Sequence, residues 1–175
     1  MSPKSTNIQK VAVLVDAQNM YHSAKNLYHA KVNFREILKA AVDGRNLLKA
    51  IVYVIKSDVP EEASFFQALE RAGFYLKMKD LQVFAGGMKK GDWDVGMAVD
   101  AISLIDKVDV IVLVGGDGDA IPLVEYLKNH GVTVEVVAFG RSASSKLITA
   151  AERFFDLEDD PKKFLLTKES RRLKN

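Results

Sequence analysis

Two apolar runs of this chain each end in acidic residues, and this feature constrains the fold more than any other. Residues 11–15 (VAVLV) are followed directly by Asp16, and residues 110–114 (VIVLV) lead into the sequence GGDGD, which contains Asp117 and Asp119. Short apolar runs rich in valine are typical of strands buried on both faces of a parallel sheet. Because parallel α/β sheets bind ligands beyond the carboxyl ends of their strands, we expect the three carboxylates to meet at one sheet edge.

Three carboxylates in one crevice call for a cation. Two like charges about 4 Å apart repel by about 4 kcal/mol at an effective dielectric constant of 20. The chain has no cysteine and only three histidines, and none of these histidines stands in a metal-ligand spacing. Oxygen ligands alone favour Mg²⁺ or Mn²⁺ and argue against zinc. Helix capping is the open alternative, since Asp16 precedes one predicted helix and Asp119 stands at the start of another.

Apolar runs alternate with amphipathic patterns, which predicts β-α-β units and a mostly parallel sheet. Right-handed crossovers then favour a three-layer α/β/α, Rossmann-like domain with a five-stranded sheet of order 3-2-1-4-5. The first and fourth strands are neighbours in this order, so the crevice coincides with the acids. The predicted strands are 11–16, 49–56, 74–79, 109–115 and 132–138. The predicted helices are 18–29, 33–42, 60–72, 93–106, 119–130 and 143–152.

The length and the charge pattern predict one domain followed by a basic tail. A chain of 175 residues with 48% hydrophobic content can bury one core, and we place the domain at residues 8–158 and the tail at 159–175. Residues 161–175 contain six bases and one acid, which suits either contact with a polyanion or a solvated terminus. The chain lacks a signal-peptide pattern and a membrane-length apolar run, so we expect a cytoplasmic protein with no membrane partner.

A fourth candidate acid lies on the helix that precedes the fourth predicted strand. Asp92 stands at the predicted N-cap, which leaves Asp94 in the first turn with its carboxylate able to reach the sheet edge. Asp100 is the single acid within the otherwise apolar segment 95–102. It stands six residues after Asp94, about 120° around the helix, so it belongs either to the site or to an outward-facing stripe.

Basic residues near the same edge are candidates for binding a nucleic-acid backbone. Lys89 and Lys90 precede the helix of Asp94, and Arg141 and Lys146 follow the fifth predicted strand. Phosphate contacts from such side chains add affinity without sequence information. Isolated surface lysines are also ordinary, so each of these four residues has a purely structural alternative.

Four short motifs follow one another along the chain: VDAQN ends at Asn19, KGDWD ends at Asp94, VDAI contains Asp100, and GDGD ends at Asp119. On these motifs, residues 11–157 resemble the NYN domain family, in particular its LabA-like branch, within the PIN-like nuclease superfamily. The resemblance implies a ribonuclease that hydrolyses RNA phosphodiester bonds through metal-activated water, with single-stranded RNA as the expected partner. Self-association stays open.

The resemblance also implies roles for individual residues. Asn19 orients the site, Asp100 is a secondary member, and the metal-binding acids are Asp16, Asp94, Asp117 and Asp119. Three positions depart from the family, which commonly has serine at Gly115 and Gly118 and an aromatic residue at Ala120. A non-catalytic RNA-binding or regulatory module is therefore the alternative function. A phosphohydrolase of the haloacid-dehalogenase type needs a second aspartate two residues after the first. Gln18 stands two residues after Asp16, which argues against this class.

Overall fold

The computed structural model describes residues 7–167, apart from the side chain of Lys90. The strands within these residues are β1 (Lys10–Asp16), β2 (Lys31–Val32), β3 (Asn46–Lys56), β4 (Tyr75–Asp80), β5 (Gln82–Val83), β6 (Lys89–Lys90), β7 (Val110–Val114), β8 (Thr133–Ala138), β9 (Arg153–Asp156) and β10 (Leu165–Leu166). The α-helices are α1 (Ala17–Tyr28), α2 (Phe34–Val42), α3 (Glu62–Arg71), α4 (Asp94–Ser103), α5 (Ile121–Asn129), α6 (Ser145–Ala150) and α7 (Pro161–Phe164).

A six-stranded parallel sheet of order β4-β3-β1-β7-β8-β9 forms the centre of the molecule. Its first five strands are the five predicted from the sequence, so the order 3-2-1-4-5 and the α/β class are confirmed. The strand count was wrong by one, because β9 extends the sheet beyond β8. This strand has only four residues, too few for its alternation of Phe154 and Phe155 between the two sheet faces to stand out in the sequence.

Side chains of β1 alternate between two hydrophobic cores, one on each face of the sheet. Val13 belongs to the first core, which also contains residues of α1, α2, α3 and α7. Leu14 belongs to the second core, together with residues of α4, α5 and α6. Both side chains are fully buried, which is why β1 reads as a continuous apolar run rather than as an alternating one. The predicted three layers are therefore confirmed.

Two antiparallel strand pairs lie outside the central sheet. Strands β5 and β6 form a hairpin, and β10 pairs with β2 near the C-terminal end of the described chain. Phe164 and Leu165, at the junction of α7 and β10, are buried in the first core. The first part of the predicted tail thus packs on the domain, whereas residues 168–175 lie outside the described residues. No helix in the described part of the chain has the length and apolarity needed to cross a bilayer.

Candidate metal centre

The candidate site lies where the central strands β1 and β7 end side by side. Val15 pairs with Val114, so Asp16 and the turn that follows β7 leave the sheet at the same edge. Helix α4 begins at Asp94, whose carboxylate reaches this edge. The topology therefore brings together acids from three separate parts of the chain.

Three carboxylates form a close group at this edge. One oxygen from each of Asp94, Asp117 and Asp119 lies within 4.8 Å of the others, and all three residues are exposed. Among residues 7–167, none of the three forms an ion pair with a basic side chain. Asp16 lies outside this group of three but lines the same groove. Within the described part of the chain, no basic side chain therefore compensates the mutual repulsion of these acids through an ion pair.

Asp16 combines helix capping with a place in the acidic cluster. Its Oδ1 accepts a hydrogen bond from the backbone N–H of Asn19 at 3.0 Å, so it caps α1 as the alternative interpretation stated. Burial raises the pKa of Asp16 and the charge of Asp117 raises it further, against the lowering effect of the Asn19 hydrogen bond. The carboxylate of Asp16 therefore caps α1, and its charge still interacts with that of Asp117.

The pKa of Asp94 is raised by burial and by four neighbouring acids. Burial raises its pKa first, and the negative charges of Asp92, Asp117, Asp16 and Asp119 raise it further. The helix begins at Asp94 itself, and the predicted capping residue Asp92 accepts a hydrogen bond from the Asp94 N–H at 3.3 Å. Four neighbouring carboxylates thus favour the protonated form of Asp94, and a bound cation would reverse this preference.

The turn after β7 is fixed by hydrogen bonds and by two features that favour glycine. The backbone N–H of Gly116 donates a hydrogen bond to Oδ1 of Asn19 at 2.9 Å, which joins α1 to the turn. A Cβ on Gly116 would stand 2.7 Å from Cα of Ala143, and Gly115 has a φ of +150°. Within the turn, Asp117 accepts a hydrogen bond from the backbone N–H of Asp119 at 2.9 Å. These contacts set where the two acids of the turn point.

The donor set fits a hard divalent cation. It offers carboxylate oxygens only, which Mg²⁺ and Mn²⁺ prefer over the nitrogen and sulfur ligands that zinc takes. Oxygens on opposite sides of a Mg²⁺ ion are about 4.2 Å apart, so the 4.8 Å grouping is within a small side-chain rotation of shared coordination. Asp94, Asp117 and Asp119 would hold the ion, with Asp16 beside them.

Asp100 lies apart from this cluster in a network of its own. The hydroxyl of Tyr53 donates a hydrogen bond to Asp100 Oδ2 at 2.7 Å, and Nζ of Lys77 donates to Oδ1 at 2.8 Å. Burial opposes the charged form of Asp100, but these two donors outweigh it and hold its pKa below the ordinary value. Burial beside this charge raises the pKa of Tyr53 strongly. The structure therefore does not bring Asp100 to the group formed by Asp94, Asp117 and Asp119.

The basic residues predicted to bind substrate are spread around the site. Nε of Arg141 lies 2.6 Å from Glu158 Oε2, so that guanidinium is already paired. Lys89 and Lys146 are exposed and, like Arg141, do not line the acidic groove. The side chain of Lys90 is outside the described part of the chain. These four assignments stay predictions.

An apolar extension of the crevice was not anticipated from the sequence. The groove has a volume of about 330 Å³ and runs from the acids between α4 and α5. Residues at helical spacing lie on one face of a helix, as do 97, 98 and 102 on α4 and 122, 123 and 126 on α5. This spacing could have indicated that each helix contributes one face to a groove, but residues that face a hydrophobic core have the same spacing. The side chains that form its walls are Met97, Ala98, Ile102, Pro122, Leu123 and Tyr126.

A parallel sheet of this order, with carboxylates beyond the ends of its two central strands, defines an α/β protein of the PIN-like class. The chain belongs to the NYN domain family, whose model matches residues 10–158. NYN domains are part of the PIN-like nuclease superfamily.

Two known proteins show the extent of the similarity. The low amplitude and bright protein LabA of Synechococcus elongatus is 25% identical over 159 residues, which cover 86% of this chain and 84% of LabA. A crystal structure of a protein of unknown function from Vibrio parahaemolyticus superposes with a TM-score of 0.85 at 34% identity. That match covers 93% of this chain and 99% of the other, so the similarity extends over the whole domain.

Proposed function

We propose that this protein is a ribonuclease that uses Mg²⁺ or Mn²⁺ to hydrolyse phosphodiester bonds of RNA. The observation that carries the proposal is the group of three carboxylates, Asp94, Asp117 and Asp119, with oxygens within 4.8 Å of one another and no basic partner among the described residues. Membership of the NYN family supports RNA as the substrate class. Single-stranded RNA suits a crevice of this small volume.

A divalent ion in this position supplies an activated water and neutralises charge on the phosphate. The protein's own residues then have separate tasks. Asp94, Asp117 and Asp119 hold the cation, and Asp16 adds negative charge beside them. Asn19 positions the site, because its side chain joins α1 to the backbone of Gly116. No histidine base is needed for this chemistry.

Cationic and aromatic groups beside Asp94 support contact with an RNA strand. Nζ of Lys79 lies 4.5 Å from the ring centroid of Trp93, the residue directly before Asp94. The indole N–H of Trp93 donates a hydrogen bond to the carbonyl of Val54 at 2.9 Å, which fixes the ring on the sheet. A lysine over an anchored aromatic ring can contact a phosphate of a bound strand.

The decisive experiment compares wild-type protein with Asp117→Asn on single-stranded RNA in the presence of Mg²⁺ or Mn²⁺. We expect the wild type to cleave and the variant to lose at least about 100-fold in rate, because removing one anionic ligand weakens the ion and the charge stabilisation it gives. Asp106→Asn is the matched control, since Asp106 is an exposed aspartate that does not line the acidic groove.

Two outcomes contradict the proposal. Equal cleavage by wild type and Asp117→Asn assigns the activity to another site or to a contaminant. Metal-dependent RNA binding by the wild type without cleavage of any tested RNA favours a non-catalytic binding or regulatory module instead.

A further inference from the structure

The groove that extends from the acidic cluster changes from charged to apolar along its length. Asp16, Asp94, Asp117 and Asp119 line one end, and the wall side chains of α4 and α5 line the remainder. In the described residues, its lining carries no basic side chain and no charge beyond these acids. With the divalent cation of the proposed function at the acids, an occupant with an anionic group at that end and an uncharged part in the apolar remainder fits the groove.

Tyr126 gives the apolar part of the groove an anchored aromatic ring. The rings of Tyr126 and His130 stack with centroids 4.1 Å apart and an interplanar angle of 24°. A second contact joins Nδ1 of His130 to the carbonyl oxygen of Tyr126 at 2.7 Å. The tyrosine is still 42% exposed, so its ring is held in place and remains accessible. A fixed aromatic surface binds a flat ring at low conformational cost.

We propose that this groove binds the base of one nucleotide while the phosphate of that nucleotide lies at the acidic cluster. The inference rests on the proposed function and names the part of the substrate that the site recognises. A nucleotide has the required polarity, because its phosphate is anionic and its base is flat and uncharged. The volume of about 330 Å³ is at the lower end of the range of about 300–1,000 Å³ for small-molecule sites, which suits a single nucleotide.

In this proposal, different groups bind the base and the phosphate of the nucleotide. Stacking on Tyr126 and contact with Met97 act on the base, whereas the cation acts on the phosphate. Stacking tolerates any base, because each presents a flat ring system to the protein. We therefore expect binding to require a base without selecting strongly among the four.

The test uses the full chain with the methionine methyl groups labelled with carbon-13, in Mg²⁺, titrated with adenosine 5′-monophosphate or ribose 5-phosphate. We expect the adenine ring current to shift the Met97 methyl signal, while ribose 5-phosphate leaves it nearly unchanged. Met20, in the core, and Met88, exposed on the β5–β6 hairpin, serve as internal controls whose signals stay in place.

The variant Tyr126→Ala tests the stacking contact directly. We expect it to bind adenosine 5′-monophosphate about tenfold more weakly, since stacking of one base on an aromatic ring contributes about 1–3 kcal/mol. Its affinity for ribose 5-phosphate should be unchanged. Tyr75→Ala is the matched control, because Tyr75 is also exposed but lies on the edge strand β4 outside the groove.

The outcomes separate this inference from the ribonuclease proposal. Equal affinity for the two ligands, or an unmoved Met97 signal at saturation, overturns base binding whether or not the protein cleaves RNA. A stable dimer that covers Tyr126, seen by sedimentation and dissociated by Tyr126→Ala, also overturns it. Conversely, a Met97 shift with discrimination by Tyr126 supports base binding even when no RNA is cleaved. Failure of the wild type to bind Mn²⁺, measured by electron paramagnetic resonance, removes the metal centre and this inference with it.

Discussion

Asp16 shows that helix capping and membership of an acidic cluster are compatible in one residue. One oxygen of its carboxylate accepts the Asn19 N–H, and the residue's negative charge still adds to the field at Asp94. The sequence offered these as alternatives, because a strand that ends in aspartate before a helix fits both. Strand pairing brings Asp117 close enough for its charge to raise the pKa of Asp16, so the capping residue also interacts with the acidic cluster.

Substitution of Asp16 by asparagine should separate these tasks. Asparagine is as good an N-cap as aspartate, so Asp16→Asn should keep the stability of the metal-free protein within about 0.5 kcal/mol. Loss of the charge should weaken Mn²⁺ binding about tenfold, measured by calorimetric titration. Asp16→Ala provides the comparison, because it removes the cap as well and should cost about 1 kcal/mol of unfolding free energy. Unchanged Mn²⁺ affinity in both variants would place Asp16 outside the metal centre.

The hydrogen bonds to Asp100 predict a pH-dependent contribution to stability. Because Asp100 has a lowered pKa in the folded protein, its stabilising effect is present above the ordinary carboxylate value of 3.8 and is lost as the pH falls through the folded value. At pH 7, Asp100→Asn should lower the free energy of unfolding by about 1–2 kcal/mol, allowing for the partial exposure of Lys77. The measurement is urea unfolding at pH 7 and at pH 3.

The two proteins should differ less at pH 3, because Asp100 of the unfolded wild-type chain binds a proton below pH 3.8 and the stabilising effect of the charge therefore declines. A constant difference at both pH values would contradict the electrostatic explanation. This role could not be read from the sequence, because the partners Tyr53 and Lys77 precede Asp100 by 47 and 23 residues and reach it only through the fold.

At the level of elements, the turn between β7 and α5 connects the fold to the site. Ser144, the N-cap of α6, donates its backbone N–H to the carbonyl of Gly116 at 2.9 Å, so a third segment holds the turn against the strand ends. The GGDGD pattern indicated a tight turn with acids, and this prediction was right. Glycine is needed at position 116 because Ala143, which is distant in the sequence, packs against it.

Gly116→Ala should damage the metal site as well as the fold. The added Cβ would meet backbone atoms of Ala143, which cannot move as freely as a side chain, so we expect a loss of about 1–3 kcal/mol in unfolding free energy. The displaced turn should also lower Mn²⁺ affinity. Gly131→Ala is the control, because Gly131 has a φ of +85° with nothing within 4 Å of its Cβ position.

That control should lose about 1–2 kcal/mol through backbone strain and keep its metal affinity. Equal Mn²⁺ affinity in wild type and Gly116→Ala would show that this contact does not position the acids.

Elements that were predicted differ from those that were missed in length and pattern. Strands β1 and β7 are buried on both faces and read as apolar runs, so their pairing followed from the sequence. The hairpin strands β5 and β6 have two residues each and no apolar pattern. Strands of that length are defined by their partner rather than by their own residues.

At the scale of the whole molecule, α7 and β10 contribute Phe164 and Leu165 to the first hydrophobic core. The bases Lys162 and Lys163 suited a segment that either contacts a polyanion or is solvated, but Phe164 is 2% exposed and its ring lies 5.7 Å from that of Phe155. The charges mark the exposed side of a short helix, and the aromatic residue after them marks its buried side. A single turn of helix is too short for the sequence to show this periodicity.

Phe164→Ala should destabilise the entire domain. Removing a buried phenylalanine costs about 3–5 kcal/mol, and we expect this loss in chemical unfolding monitored by circular dichroism. Leu166→Ala, two residues later at a position 36% exposed, should change stability by less than about 1 kcal/mol. Similar small effects from both substitutions would show that α7 and β10 contribute little to the core.

The position of β1 between β3 and β7 also affects when the site can exist during synthesis. The strand that places Asp117 beside Asp16 is made about a hundred residues after β1, since Val11 pairs with Val110. A growing chain thus carries no complete cluster of acids until Asp117 and Asp119 have been added. Translating ribosomes are rich in RNA, so under the proposed ribonuclease function this chain order keeps the centre unassembled beside the ribosome until those two acids have been made.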